Sequence, residues 1–347
     1  MKIRFRFWSG LILGILFLIG GKSNLVLAQT VGGLNLVVSP LPINLVTEPG
    51  STVSAQLKIK NAGLLPEKIH VSLMKFSAYG DEGNPRLLDR APGDDYFDWV
   101  HFSDNDFTMV ANEWKTITMN ISVPPNAAFG YYYAVTFSRF NDPTVAGERS
   151  TKILGAVASL VLLEVRVPNA VRKIEVTEFS VPKKVFEFLP VNFTIKLLNQ
   201  GNVHVAPKGN IFISQGDKKD VAILDINDLK GNVLPNSSRI FTSAWSDGFP
   251  VYTDKIDNKV VETDRKGNPI QQLNWDFSQI KKLRFGKYTA LMLLAYDDGK
   301  RDVPIEASLS FWVVPWRILI GVGVVVILLL FGVGQMTYLL YRMIKRK

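Results

Sequence analysis

The sequence contains no cysteine. That absence excludes a disulfide scaffold, a thiolate zinc site and a cysteine nucleophile. Histidine is scarce: His70, His101 and His204 are the three present, and no two have the HExxH spacing of a zinc protease. No GxSxG elbow, P-loop or GxGxxG follows an apolar strand. Outside the two ends no stretch keeps a long 3.6-residue apolar period, so a helical body is not expected. Charge of one sign is missing where a polyanion-binding domain would need it. The chain has 347 residues, room for about two domains of ~150 residues, and a formal net charge of +9. Lys2, Arg4, Arg6 and Lys22 near the start and Arg317, Arg342, Lys345, Arg346 and Lys347 near the end account for all of it, and neither end holds an acid. Residues 29–316 are therefore neutral overall, which argues against nucleic acid as a partner and turns the charge into a sign of membrane topology.

Both ends are apolar as well as basic. Lys2, Arg4 and Arg6, the apolar run Leu11–Ile19, and the small residues Val26 and Ala28 predict a signal peptide over 1–28, cleaved after Ala28. A retained N-terminal helix is the alternative. Residues 316–341 read as a transmembrane helix: Ile318–Leu340 has Gln335 and Thr337 as its clearly polar members, and at ~1.5 Å per residue it is long enough for a ~30 Å hydrocarbon core. Trp312 and Trp316 at one border, and Tyr338 and Tyr341 at the other, suit an aromatic belt. The basic tail 342–347 then belongs in the cytoplasm by the positive-inside rule, and the domains belong outside a single-pass cell-membrane protein.

Between the ends, alternating segments such as Thr52–Lys60, Lys68–Met74, Thr116–Val123 and Val191–Leu198 predict short strands. Turn signals such as Glu48-Pro49-Gly50 and Asp297-Asp298-Gly299 punctuate them. The fold class expected is all-β: two tandem Ig-like β-sandwiches, over 29–170 and 171–315, followed by the single C-terminal helix. An internal echo supports two copies. A strand closes on Asn61-Ala62-Gly63 and again on Asn199-Gln200-Gly201, and Phe129-Gly130-Tyr131-Tyr132 returns as Phe285-Gly286-Lys287-Tyr288. The second pair lies farther apart than the first, so the second copy carries an insertion. The Gly-x-Tyr placement makes Tyr132 and Tyr288 candidates for a tyrosine corner, whose hydroxyl bonds back to upstream backbone.

Few residues suggest chemistry. The acidic group Asp94, Asp95 and Asp98, with Asp104 and Asp106 beyond, has enough oxygen for a Ca²⁺ ion but not the spacing of an EF-hand, and a solvated loop is the favoured reading. A glycosidase pair within it is a remoter reading. Tyr131 and Tyr133 share one face of a strand and fit a sugar-stacking platform or plain core packing; Trp99 and Trp114 carry the same ambiguity. The stretch Asp254–Asn274 reads as a long polar hairpin or loop, either a partner surface or a decoration. No cofactor is expected.

The order Pro49-Gly50, Asn61, Pro66, Ala78, Gly83, Phe107, Pro124, Phe129-Gly130 and Ala134–Phe137, then Asn199, Gly201, Pro207, Gly209, Leu234–Ser237 and Gly286–Tyr288, resembles the WxL-interacting proteins of Gram-positive bacterial surfaces. That resemblance implies a peptidoglycan-binding Ig-like domain, a second Ig-like domain, an anchor helix, and peptidoglycan or a WxL-type surface protein as partner. The function expected is a non-enzymatic, membrane-anchored surface protein that binds a wall polymer or another surface protein. A scaffold subunit of a membrane complex is the alternative.

Overall fold

The computed structural model describes residues 33–140, 156–257 and 259–345. The expected signal peptide, its cleavage point after Ala28 and the last two residues of the basic tail lie outside the described residues.

The first sandwich is built from β1 (Leu36–Ser39), β2 (Ile43–Thr47), β3 (Thr52–Asn61), β4 (Glu67–Tyr79), β5 (Asn84–Leu88), β6 (Val100–Phe102), β7 (Asp106–Met109), β8 (Trp114–Ser122), β9 (Phe129–Arg139) and β10 (Val157–Val165). One sheet has the order β1-β3-β8-β6. The other runs β2-β10-β9-β4-β5, with β7 on the free part of β4. Alternation explains the pairing: Leu57 and Ile59 of β3 and Ile117, Met119 and Ile121 of β8 point inward and are fully buried, and meet Val135, Phe137, Val161 and Leu163 from the facing sheet.

The second sandwich uses β11 (Ile174–Ser180), β12 (Val185–Phe186), β13 (Val191–Asn199), β14 (Lys208–Gln215), β15 (Lys218–Ile226), β16 (Ser238–Trp245), β17 (Val251–Asp254), β18 (Ile256–Asp257), β19 (Val260–Val261), β20 (Gln271–Asn274), β21 (Gly286–Asp297) and β22 (Asp302–Val313). Its sheets run β11-β13-β16 and β12-β22-β21-β14-β15. This repeats the order of the first domain, except that β6 and β7 have no counterpart in the second domain's two sheets. In each, an early short strand runs parallel to the last one, Ile43 beside Val161 and Val185 beside Trp312. The core centres on Trp245, Phe193, Tyr288 and Phe311.

The copies differ between the third long pair of strands. The second domain inserts everything from β17 to the 3₁₀ helix Phe277–Lys282 there. The stretch read as a long polar hairpin or loop is two small antiparallel ribbons, β17 with β20 and β18 with β19. The chain ends in α1 (Trp316–Ile344), 29 residues and about 44 Å long. The helix is long and apolar enough to cross a membrane, and none of its residues is buried against the sandwiches.

The repeated Asn-x-Gly has a repeated job. Asn61 and Asn199 are fully buried at the ends of β3 and β13. The Asn61 amide donates to the Leu65 carbonyl at 2.8 Å and its oxygen accepts from Gly63 N at 3.0 Å. Asn199 donates to the Val203 and Val233 carbonyls, both at 2.9 Å, and accepts from Gly201 N at 2.8 Å. Gly201 is required there, because a Cβ would collide with the Val171 carbonyl.

Candidate functional site

The residues singled out from sequence do not form one site. Tyr131 and Tyr133 do share a face, but they fill it. Tyr133 is fully buried and its hydroxyl donates to the Tyr96 carbonyl at 3.0 Å. The half-buried Tyr131 accepts from Ala128 N at 3.2 Å and packs edge-on to Trp99, 4.7 Å between ring centres. Tyr96, Trp99 and Tyr131 pack against one another, and Tyr133 against Tyr96, which leaves little flat surface for a sugar. Trp114 stands apart at the start of β8, 55% exposed, with the Lys60 ammonium 6.0 Å from its ring.

Asp94, Asp95 and Asp98 do not converge either. Asp94 is buried, takes a hydrogen bond from Lys75 at 2.9 Å and another from Ala91 N at 2.8 Å, and Lys75 above all holds its carboxyl below the usual range. Asp98 accepts both arms of Arg90, at 2.6 and 2.5 Å, and that pairing lowers its pKa likewise. Asp95 opens the short 3₁₀ helix Asp95–Trp99. Among the described residues no group of three or more acids and histidines is placed to hold a metal ion. Two carboxyls held ionised by cations also run against glycosidase chemistry, whose acid needs a raised pKa.

The tyrosine-corner candidates diverge. Tyr288 is buried against Trp245 and Phe311, its hydroxyl reaches back beside the Phe285 backbone, and burial raises its pKa. Tyr132 makes no such upstream bond. It points out of the first sandwich toward the second, 5.8 Å from the His204 ring, with its buried hydroxyl beside the His204 backbone. The corner reading therefore fails at Tyr132, because the outer face of its sheet is an interface between domains.

That interface leads to a concave apolar feature the sequence did not mark. In β9 and β10 the outward-facing Ala134, Thr136, Leu162 and Glu164 are buried as well as the inward set. A sandwich strand buried on both faces needs a cover, and the second domain supplies part of it. The β4–β5 turn grips β16 and β13: Ile240 N donates to the Asp81 carbonyl at 2.5 Å, and Lys196 meets the Asp81 carboxylate at 2.6 Å. On the other side Arg172 pairs with the buried Glu164. Between these clamps a groove of about 670 Å³ remains open. Leu41, Phe76, Leu87, Leu160 and Leu162 line it from the first domain, and Leu229, Leu234 and Arg239 from the second.

Arg239 is its one unusual polar group. The side chain threads between two glycines: a Cβ on Gly83 would lie 2.5 Å from its Nε, and one on Gly231 would lie 2.7 Å from its Cζ. One arm donates to the Asn232 carbonyl at 2.8 Å and the guanidinium lies 5.3 Å from the Phe241 ring, but Nε is buried without a partner. Among the described residues no carboxylate pairs with it, and desolvation lowers its pKa. A half-buried cation without a counter-charge is costly to leave uncompensated. The edge strand β5 borders the same groove with one side of its backbone unpaired among the described residues.

No family model matches the chain, and no curated protein matches it. Solved structures do. The class 5 fimbriae chaperone CfaA is 14% identical over 79% of this chain and 98% of that chain, with a TM-score of 0.36. A chaperone–tip adhesin complex of CFA/I fimbriae matches at 17% identity over 69% and 98%, TM-score 0.33. The CsuC–CsuE chaperone–tip adhesion subunit complex of Acinetobacter baumannii matches at 12% over 60% and 89%, TM-score 0.32. The likeness is one of fold. No family model supports the resemblance drawn from the order of turns, and the matching structures are mostly fimbrial chaperones rather than WxL-interacting proteins, so that resemblance and the peptidoglycan-binding role it implied are withdrawn. Turn residues such as Pro-Gly and Asn-x-Gly are set by sandwich geometry, so unrelated sandwiches share them.

Proposed function

We propose that this chain is a non-enzymatic, membrane-anchored protein whose two sandwiches stand outside the membrane and hold an extended, apolar segment of a partner protein in the groove between them. The observation that carries this reading is the groove itself: apolar walls from both domains, an open strand edge at β5, and the uncompensated guanidinium of Arg239. Apolar side chains of the segment would fill the walls, its backbone would find the β5 edge, and an acidic group on it would pair with Arg239. Orientation follows from the basic residues Arg342 and Lys345 beyond the apolar part of α1.

Leu229 offers a clean test, because at 88% exposure it contributes little to folding. Its burial by a bound segment is worth about 1.5–3 kcal/mol, or roughly tenfold to a hundredfold in affinity. Full-length protein in lipid nanodiscs, titrated with fluorescent decapeptides that alternate Leu or Val with Ser and carry one Asp, is expected to bind saturably. Leu229→Asp is expected to weaken that binding by at least about tenfold without moving the unfolding midpoint. Equal affinity in both proteins would remove the groove as the site.

A further inference from the structure

The end of the second sandwich nearest α1 carries a row of exposed apolar side chains. The 3₁₀ helix Phe277–Lys282 repeats about every three residues, so Phe277, Ile280 and the following Leu283 fall on one side; they are 67%, 55% and 41% exposed. Trp275, 45% exposed, stacks on Phe277 with the rings 26° apart. Buried Phe249 backs both rings, at 5.9 and 5.5 Å, and so holds them rigidly with their outer faces bare. Phe285, 54% exposed, completes the row.

The row is continuous with the anchor. Gly286, next to Phe285, pairs with Val313, and α1 opens at Trp316. Three residues of extended chain cover only about 10 Å, so Phe285 lies at the level where the helix leaves the sandwich. Trp312 and Trp316, 47% and 49% exposed, stand at that same level. Arg317 in the first turn of α1 pairs at 3.2 Å with Glu187, which also accepts from the Tyr252 hydroxyl of the inserted ribbon β17. The insertion and the anchor are thus tied at one carboxylate. Lys281 and Lys287 flank the row with side chains in solvent. Aromatic rings with lysines beside them suit the headgroup zone of a bilayer that contains anionic lipid.

We infer that Trp275, Phe277, Ile280, Leu283 and Phe285 form a foot that rests in the outer headgroup layer of the bilayer crossed by α1, and so fixes the tilt of the second sandwich on the membrane. This rests on the membrane-anchored reading above.

The absence of native cysteine allows single-site spin labels. Full-length chain would be reconstituted in phosphatidylcholine vesicles with one quarter phosphatidylglycerol and labelled at Ser278→Cys, Ser54→Cys or Val325→Cys. Collision of each label with oxygen is then compared with collision with a water-soluble nickel chelate. Val325, within α1, should favour oxygen strongly and Ser54, exposed in the first domain, should favour nickel. Ser278 is expected to shift clearly toward oxygen relative to Ser54, and to return to the Ser54 ratio when Phe277→Ser and Ile280→Ser are added. A Ser278 label as wet as Ser54 while Val325 lies in hydrocarbon overturns the foot alone. A wet Val325 label overturns the anchor as well. A protected Ser278 label broadened by a second label nearby assigns the row to a second copy of the chain and also overturns the lipid assignment.

Discussion

Replacing Asn199 by alanine is expected to cost the second sandwich about 3 kcal/mol, summed from buried groups that each lose roughly 1–3 kcal/mol when left unpaired. The Val203 carbonyl and the Gly201 amide lose their Asn199 partners in a fully buried site, while the Val233 carbonyl keeps its bond from Val205 N. Water cannot readily replace the lost bonds, because Gly201 lies too close against Val171 for the loop to open. Asn61→Ala is expected to do the same to the first sandwich, where the Asn61 amide serves Leu65, Met109 and Val110. Gln200→Ala, one residue along and exposed, should change stability by no more than about 0.5 kcal/mol. Urea unfolding followed by hydrogen exchange in each domain reads all three. A mild Asn199→Ala would mean that the repeated Asn-x-Gly is a turn preference and not a structural clasp.

Acidification is expected to loosen the joint between the domains. His204 sits in that joint beside Tyr132, with its Nδ1 buried and unpartnered. Burial, and then the nearby Arg172 charge, push its pKa down to about 4. An unfolded histidine titrates near 6.5. Above about pH 6.5 both states are neutral and the full stability is present. As pH falls from there toward 4 the unfolded state takes up the proton first and stability declines, by at most about 3 kcal/mol, and below 4 this group adds no further loss. Glu164 is engaged by Arg172 on the same side and so offers little compensation to a new cation. Carboxylates also titrate in this window, so the test is a difference. His204→Gln should flatten the pH dependence of the urea midpoint between pH 6.5 and 4 relative to the unaltered protein. Parallel curves would show that His204 does not carry the effect.

The sandwiches were legible because their strands alternate cleanly. Thr52–Lys60 and Thr116–Val123 read as strands and became β3 and β8, since only one face of each is buried. β16, Ser238–Trp245, was not read, because the positions in phase with its buried Phe241 and Trp245 include Arg239 and Ser243, which break the apolar alternation. The groove was invisible for a different reason. Its walls come from β4, β5, β10 and the β15–β16 connection, far apart in sequence, and no motif joins them. One signal was present: Val157–Val165 is apolar on both faces, and in a two-sheet domain that implies something covering the outer face. Arg239 gave no signal, since an isolated arginine in a half-polar strand looks like any surface residue. The aromatic run at 131–133 drew attention by composition, yet two of its rings close the core and the third meets the other domain.

The central claim is that the groove between the sandwiches holds another polypeptide, and a photocrosslinker placed in it tests that most directly. A benzophenone amino acid would replace Leu229 inside the groove or, as an exposed control outside it, Ile223 on β15. Illumination of intact membranes that contain the full chain is expected to give a polypeptide adduct of defined mass from position 229 and none from position 223, and the Leu229 adduct should fade when the alternating decapeptide is added in excess. Identical products from both positions, or a lipid adduct alone at 229, would contradict the account.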